Sequence, residues 1–226
     1  MNSEITLEDT IKDIRKRCRM SMNGVASSSM RNKGLGYKLN FGVSLQKIRE
    51  IATRYQPDAG LAEKLWSEDV RELKILATML YPISEMNRES ACNWMTRIPN
   101  QEIREQICIN LFQKLSFADD LVADWGNRDN PDFRTTAYWL ATRILMMGED
   151  KRSDTAQFPF LYADILSEYL SLKNASISLL KRMGRCSTRQ AGDILLQLAN
   201  LKDSDNLSEK AVYDDIYFEF DFYGIL

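Results

Sequence analysis

The sequence predicts an all-α chain, an α-solenoid of stacked antiparallel helix pairs. Three observations carry that expectation. Apolar residues recur every three or four positions through most of the chain. Only 5 prolines and 10 glycines occur among 226 residues, too few for a loop-rich β-sandwich. Short interruptions such as Gln56-Pro57, Tyr81-Pro82 and Pro99-Asn100 cut the periodic stretches into helix-sized runs with no strand-like alternation between them. With 44% of its residues hydrophobic and 27% charged, the chain is long enough for one sizeable core and short for two independent domains.

Taken in order, residues 6–19 read as a helix with Ile11 and Ile14 on one side and Lys12, Arg15, Lys16, Arg17 and Arg19 largely on the other. Ser21 to Gly36, with Ser27-Ser28-Ser29 and three glycines, reads as a loop or a weak short helix. Ser44 caps a helix carrying Leu45, Ile48, Ile51 and Ala52, and Asp58 caps a short one carrying Leu61, Ala62, Leu65 and Trp66. Val70 to Leu80 and Ser84 to Ile98 follow, and Asn100 caps a helix with Ile103, Ile107, Cys108, Leu111 and Phe112. Further helices are marked by Phe133 to Ile144, by Leu161 to Leu170, by Ile177 to Lys181 and by Ala191 to Leu198. Helix pairs at roughly 35 to 45 residues per unit favour a HEAT-like stack over a four-helix bundle. The chain then divides into a helical repeat domain over 1–202 and an acidic, aromatic C-terminal tail over 203–226, in which the alternation of Tyr217 to Tyr223 suits an extended strand-like segment.

Composition excludes several chemistries. There is no histidine, which removes Ser-His and Cys-His catalysis and imidazole metal sites. Cys18, Cys92, Cys108 and Cys186 form no C-x-x-C pair, so no structural zinc or redox dithiol is expected, and reduced, mostly buried thiols are. No metal and no organic cofactor is implied. No apolar run long enough to span a bilayer exists, and the polar start, with Glu4, Glu8 and Asp9, lacks a signal-peptide core. A cytoplasmic location is the expectation. The net charge of −2 is unevenly spread: residues 1–54 hold 11 Lys/Arg against 5 Asp/Glu, and residues 203–226 hold 1 against 7. The basic front end suits a polyanion partner, although a pI near 5.4 is low for a dedicated DNA binder. The acidic tail suits docking of its aromatics onto the helical stack or a symmetry mate, or a protein partner; a sharper reading is a polyanion mimic that covers the basic surface.

The run Asn40-Phe41-Gly42-Val43-Ser44 followed by Leu45-Gln46-Lys47-Ile48-Arg49-Glu50-Ile51-Ala52 resembles the signature of the AlkD-like DNA alkylation repair family. Leu65-Trp66, then Val70-Arg71-Glu72 and Ile75-Leu76-Ala77, resembles its continuation. The likeness is fainter but traceable to Gly184-Arg185, and so covers roughly three quarters of the chain. It implies a curved stack of HEAT-like helix pairs whose basic concave face holds duplex DNA. It also implies excision of cationic alkylated purines, with an aspartate stabilising positive charge on the sugar and aromatic side chains and an arginine lining the cleft.

On that comparison the expected catalytic aspartate is Glu105, the cleft tryptophans are replaced by Gln101 and Ser178, and the cleft arginine is replaced by Thr135, beside Arg134. A carboxylate displaced by on the order of 1 Å can lose about a hundredfold in rate. Each missing aromatic face removes on the order of 1 kcal/mol of cation–π or stacking energy. The replacements therefore argue against efficient excision. Arg134, Lys181, Arg182, Arg185 and Arg189, with Arg143, are the candidate phosphate contacts, and Arg15, Lys16, Arg17 and Arg19 stand level with them. Trp94, Trp125 and Trp139 read as core. A DNA-binding member of the repair family is the preferred reading, and a non-enzymatic interaction scaffold is the alternative.

Overall fold

A computed structural model describes residues 6–148 and 155–226; Glu4 of the polar start lies outside them. The all-α class is as expected. Fourteen α-helices are found among the described residues, and the only backbone pairing of β type there is one isolated bridge between Leu39 and Val70. The helices divide into two compact units, Met1–Ala91 with Ile98–Leu115, and Cys92–Arg97 with Ser116–Leu226.

The first unit contains α1 (Leu7–Met20), α2 (Gly24–Asn32), α3 (Leu45–Ala52), α4 (Ala59–Ser67), α5 (Arg71–Leu80) and α7 (Gln101–Asn110). Between the last two, α6 (Arg88–Thr96) contributes residues to both units. Ser44, Asp58 and Asn100 cap as the sequence indicates: their side-chain oxygens accept from the amides of Lys47, Leu61 and Ile103. The stretch from Ser21 to Gly36 forms α2, capped by Asn23. Helix α5 packs on α3, α4 and α7. Every residue from Arg71 to Thr78 is accordingly buried, the pattern of a helix covered on all sides.

The second unit holds α8 (Ala118–Gly126), α9 (Pro131–Met146), α10 (Leu161–Asp164), α11 (Leu170–Gly184), α12 (Thr188–Gln197), α13 (Ala199–Lys202) and α14 (Leu207–Phe222). Helix α9 packs on α8 and α11, and α11 also packs on α10, α12 and α14. Trp94 and Trp125 are fully buried and serve the core, whereas Trp139 is half-buried. Among the thiols only Cys18 and Cys108 are buried; Cys92 is half-buried and Cys186 exposed.

Some expectations needed correction, and one helix was not anticipated. Helix α8 had no anticipated start, because its first turn has no side-chain cap. The anticipated single helix over Leu161 to Leu170 is broken: α10 ends at Asp164, whose carboxylate turns to Arg134 and Tyr138, and the Ser167 hydroxyl accepts from the Tyr169 amide to make a turn. The strand-like reading of Tyr217 to Tyr223 fails outright. These residues continue α14, which starts at an Asn206 cap and buries Val212, Tyr213, Ile216 and Phe220 on one stripe. Aromatics on its solvent side (Phe218, 65% exposed, and Phe222, 71%) imitate a period of two in the sequence.

Candidate nucleic-acid interface

In the first unit, the segment Asn40 to Ser44 is held by a buried ionic network. Gly42 takes φ +69°, and a Cβ there would lie 2.2 Å from the Asn23 carbonyl oxygen, so only glycine fits. The Glu72 carboxylate, fully buried, accepts from the Phe41 and Val43 amides at 3.1 Å each. Arg71, 2% exposed, donates to the Val43 carbonyl at 2.8 Å and to Glu72 at 3.1 Å, and its Nε and Nη2 grip Glu102 at 2.7–3.0 Å. Burial opposes the Arg71 charge, but Glu102 and Glu72 outweigh it and hold its pKa above the ordinary arginine value. The Tyr37 hydroxyl lies 3.0 Å from Glu102 Oε2 and 3.1 Å from Asn100 Oδ1, and burial pushes its pKa up. The signature residues thus fix the N-terminus of α7.

That matters because α7 carries Gln101 and Glu105, both half-buried. The structure brings them together: Gln101 Nε2 donates to Glu105 Oε1 at 3.1 Å, while Arg104 Nη1 donates to Gln101 Oε1 at 3.3 Å. Where the family resemblance expects an indole face beside a carboxylate, an amide caps the carboxylate instead.

In the second unit, Thr135 is buried and donates to the Pro131 carbonyl one turn back at 2.6 Å, so its hydroxyl is spent on its own helix. Ser178 is half-buried on α11. Arg134 is 8% exposed and bidentate on Asp164, at 2.8 and 3.0 Å. It also donates to the Arg128 carbonyl, lies 3.5 Å from Asp129 and sits over the Phe160 ring at 4.6 Å. Tyr138 donates to the same Asp164 carboxylate at 2.6 Å; burial first, then that hydrogen bond, raises its pKa. Arg134 therefore belongs to a buried cluster rather than to the surface.

The remaining candidates lie on or just beyond α11. Arg182 donates to the Leu145 carbonyl at 2.9 Å. Arg189, 92% exposed, faces Asp193 across 3.9 Å. Lys181 pairs with Asp215 at 2.7 Å and Glu219 at 3.9 Å. Arg185 pairs with Glu219 and lies 3.6 Å over the Tyr223 ring. Lys181 and Arg185 stand four apart at the end of α11, and Asp215 and Glu219 four apart on α14, so the two pairs meet in register. Gly184 between the cations lets the Phe220 ring approach so closely that a Cβ would sit 2.1 Å from it.

The first unit carries several exposed cations outside any ion pair. Lys16, Arg19, Arg31, Lys33, Arg49 and Arg54 are exposed and form no salt bridge among the described residues, whereas Arg15 pairs with Glu68 and Arg17 with Asp13. Among the described residues no group of three or more His, Cys, Asp or Glu is placed to hold a metal ion, and no helix there is long and apolar enough to cross a membrane.

Among the described residues the protein is all-helical, and its signature segment is locked onto the start of α7. Residues 26–157 match the model of the DNA alkylation repair enzyme family, and the chain belongs to that family. A solved structure described as "a new family of proteins related to the HEAT-like repeat DNA glycosylases with affinity for branched DNA structures" superposes with a TM-score of 0.71 over 95% of each chain, at 12% identity; the likeness shows the fold. No curated protein matches the sequence.

Proposed function

We propose that this family member binds DNA through its phosphates and excises alkylated purines feebly or not at all. The binding half rests on the set of exposed, unpaired cations on and around α1 to α3. Such cations release condensed counterions when they meet a polyanion, which is the main source of sequence-independent affinity. The structural relative's described affinity for branched DNA makes a four-way junction the first substrate to try. In the second unit, Lys181, Arg182, Arg185 and Arg189 are proposed as phosphate contacts in their own right; Arg134 is not, since it is buried against Asp164. The place of action is the compartment that holds DNA.

The excision half rests on α7. Catalysis of this kind needs a bare carboxylate at the developing cationic sugar and an aromatic wall for the base. Glu105 is one methylene longer than the expected acid and is capped by Gln101. A fluorescent junction and a matched linear duplex, titrated across salt, test the binding half. Affinity falling steeply with log salt supports it; salt-insensitive or undetectable binding overturns it. For excision, methylated DNA incubated with the protein is expected to release methylated purine slowly at most, and rapid release abolished by Glu105→Gln would overturn that half.

A second reading, an interaction scaffold, draws on the outer face of α14, where Leu207, Phe218 and Phe222 are exposed beside Asp214 and Asp221. It is favoured if DNA binding fails in the salt titration.

A further inference from the structure

We infer that α14 is a built-in competitor of DNA: its carboxylates occupy Lys181 and Arg185, and DNA gains these two cations only by displacing Asp215 and Glu219. The inference rests on the DNA-binding reading and concerns the regulation of that same surface.

Three features point this way. The contacts are specific, because two cations four residues apart at the end of α11 meet two acids one turn apart on α14. Neighbouring contacts hold the two helices in this register: Phe220 fills the space above Gly184, and the Tyr223 ring lies against the Arg185 guanidinium. They are also exchangeable. The side chains of Lys181, Arg185 and Glu219 keep 21–28% of their exposure and that of Asp215 keeps 54%, and pairs open to solvent add little to stability. By contrast the Arg134–Asp164 pair, 10% and 7% exposed, is not open to exchange with a ligand. The carboxylates offer the cations what a phosphodiester offers, a negative oxygen pair within hydrogen-bonding reach. The segment's charge, seven acids against one base over 203–226, makes it the most anionic part of the chain end that faces these cations.

Removing α14 would uncover Val212, Ile216 and Phe220, so truncation is a poor test. Asp215→Asn/Glu219→Gln in the full chain leaves the apolar docking intact and frees both cations. Asp214→Asn/Asp221→Asn changes net charge equally at exposed acids that touch neither cation, and serves as the control. Binding of a fluorescent four-way junction is measured from low to physiological salt. The D215N/E219Q protein should bind severalfold tighter than wild type at low salt, with a slope of log affinity against log salt steeper by about two. Its advantage then shrinks about three- to fourfold for each doubling of salt. Adding Lys181→Gln/Arg185→Gln to that variant should abolish both effects, and the control should show neither. Equal gains in variant and control, or a wild-type slope in the variant, overturn the inference while leaving DNA binding standing. If no form of the protein binds the junction even at low salt, both the inference and the DNA-binding reading fall.

Discussion

Arg71→Leu is the substitution whose consequence the structure defines most closely. The change removes a guanidinium that is 2% exposed and satisfies three groups at once: the Val43 carbonyl, Glu72 and Glu102. Breaking a buried ion pair from one side costs about 3–5 kcal/mol, because the remaining charge is stranded. Two features place this case at the lower end. Glu72 keeps the Phe41 and Val43 amides, and Glu102, 21% exposed, keeps water and Tyr37. A loss of about 3 kcal/mol follows, offset little by the leucine, which corresponds to a fall of roughly 6–12 °C in Tm for a chain of this size. Urea unfolding and thermal melts followed by far-ultraviolet circular dichroism measure it. A loss below about 1 kcal/mol would refute the reasoning, for it would mean that the network is not what fixes residues 40–44 and the start of α7.

Two glycines should respond to alanine with opposite signs. Gly192, in α12 with open space around it, should gain about 0.5–1 kcal/mol from better helix propensity, whereas Gly184→Ala drives a Cβ into Phe220 and should lose about 2 kcal/mol; chemical denaturation of the two variants side by side checks both. Thiol labelling at pH 8 should modify Cys186 rapidly and Cys92 slowly, while Cys18 and Cys108 react only on unfolding; burial pushes the Cys18 thiol up to about 12. Asp13 is held below the usual carboxylate range by the Tyr55 hydroxyl and then by Arg17. A depressed folded-state pKa supplies stability that is present above the unfolded value of about 3.9 and lost as pH falls through the folded one. Asp13→Asn should therefore destabilise at pH 7 and converge with wild type towards pH 2, as read from melts across that range.

Much of this fold is legible in the sequence because its helices announce themselves locally. Ser44, Asp58 and Asn100 are capping residues followed by periodic apolar side chains, and each does cap. Where the local signal is weak, so is the reading. Helix α8 begins after Phe117 without a side-chain cap, and the break after Asp164 goes with its bond to Arg134, which lies 30 residues earlier. In α14 the buried stripe Val212, Ile216, Phe220 has helical spacing, but aromatic residues on the opposite face hide it within an apparent alternation. The candidate site divides in the same way. The identity of Gln101, Glu105, Thr135 and Ser178 is plain in the sequence, whereas the state of the cations is not. Lys181 and Arg185 look like free phosphate ligands until Asp215 and Glu219, 34 residues on, are seen against them. Arg134 looks equally free until Asp164 is seen beneath it.

The measurement closest to the central claim is the salt dependence of junction binding for Arg31→Gln/Lys33→Gln/Arg49→Gln against wild type. These cations are exposed and outside every ion pair described above, so the substitutions leave the fold intact. If they meet phosphates, the slope of log affinity against log salt becomes shallower by about 0.9 for each phosphate no longer neutralised, and affinity falls most at low salt. Unchanged slope and affinity in the triple variant would contradict the assignment of DNA binding to the cations of the first unit.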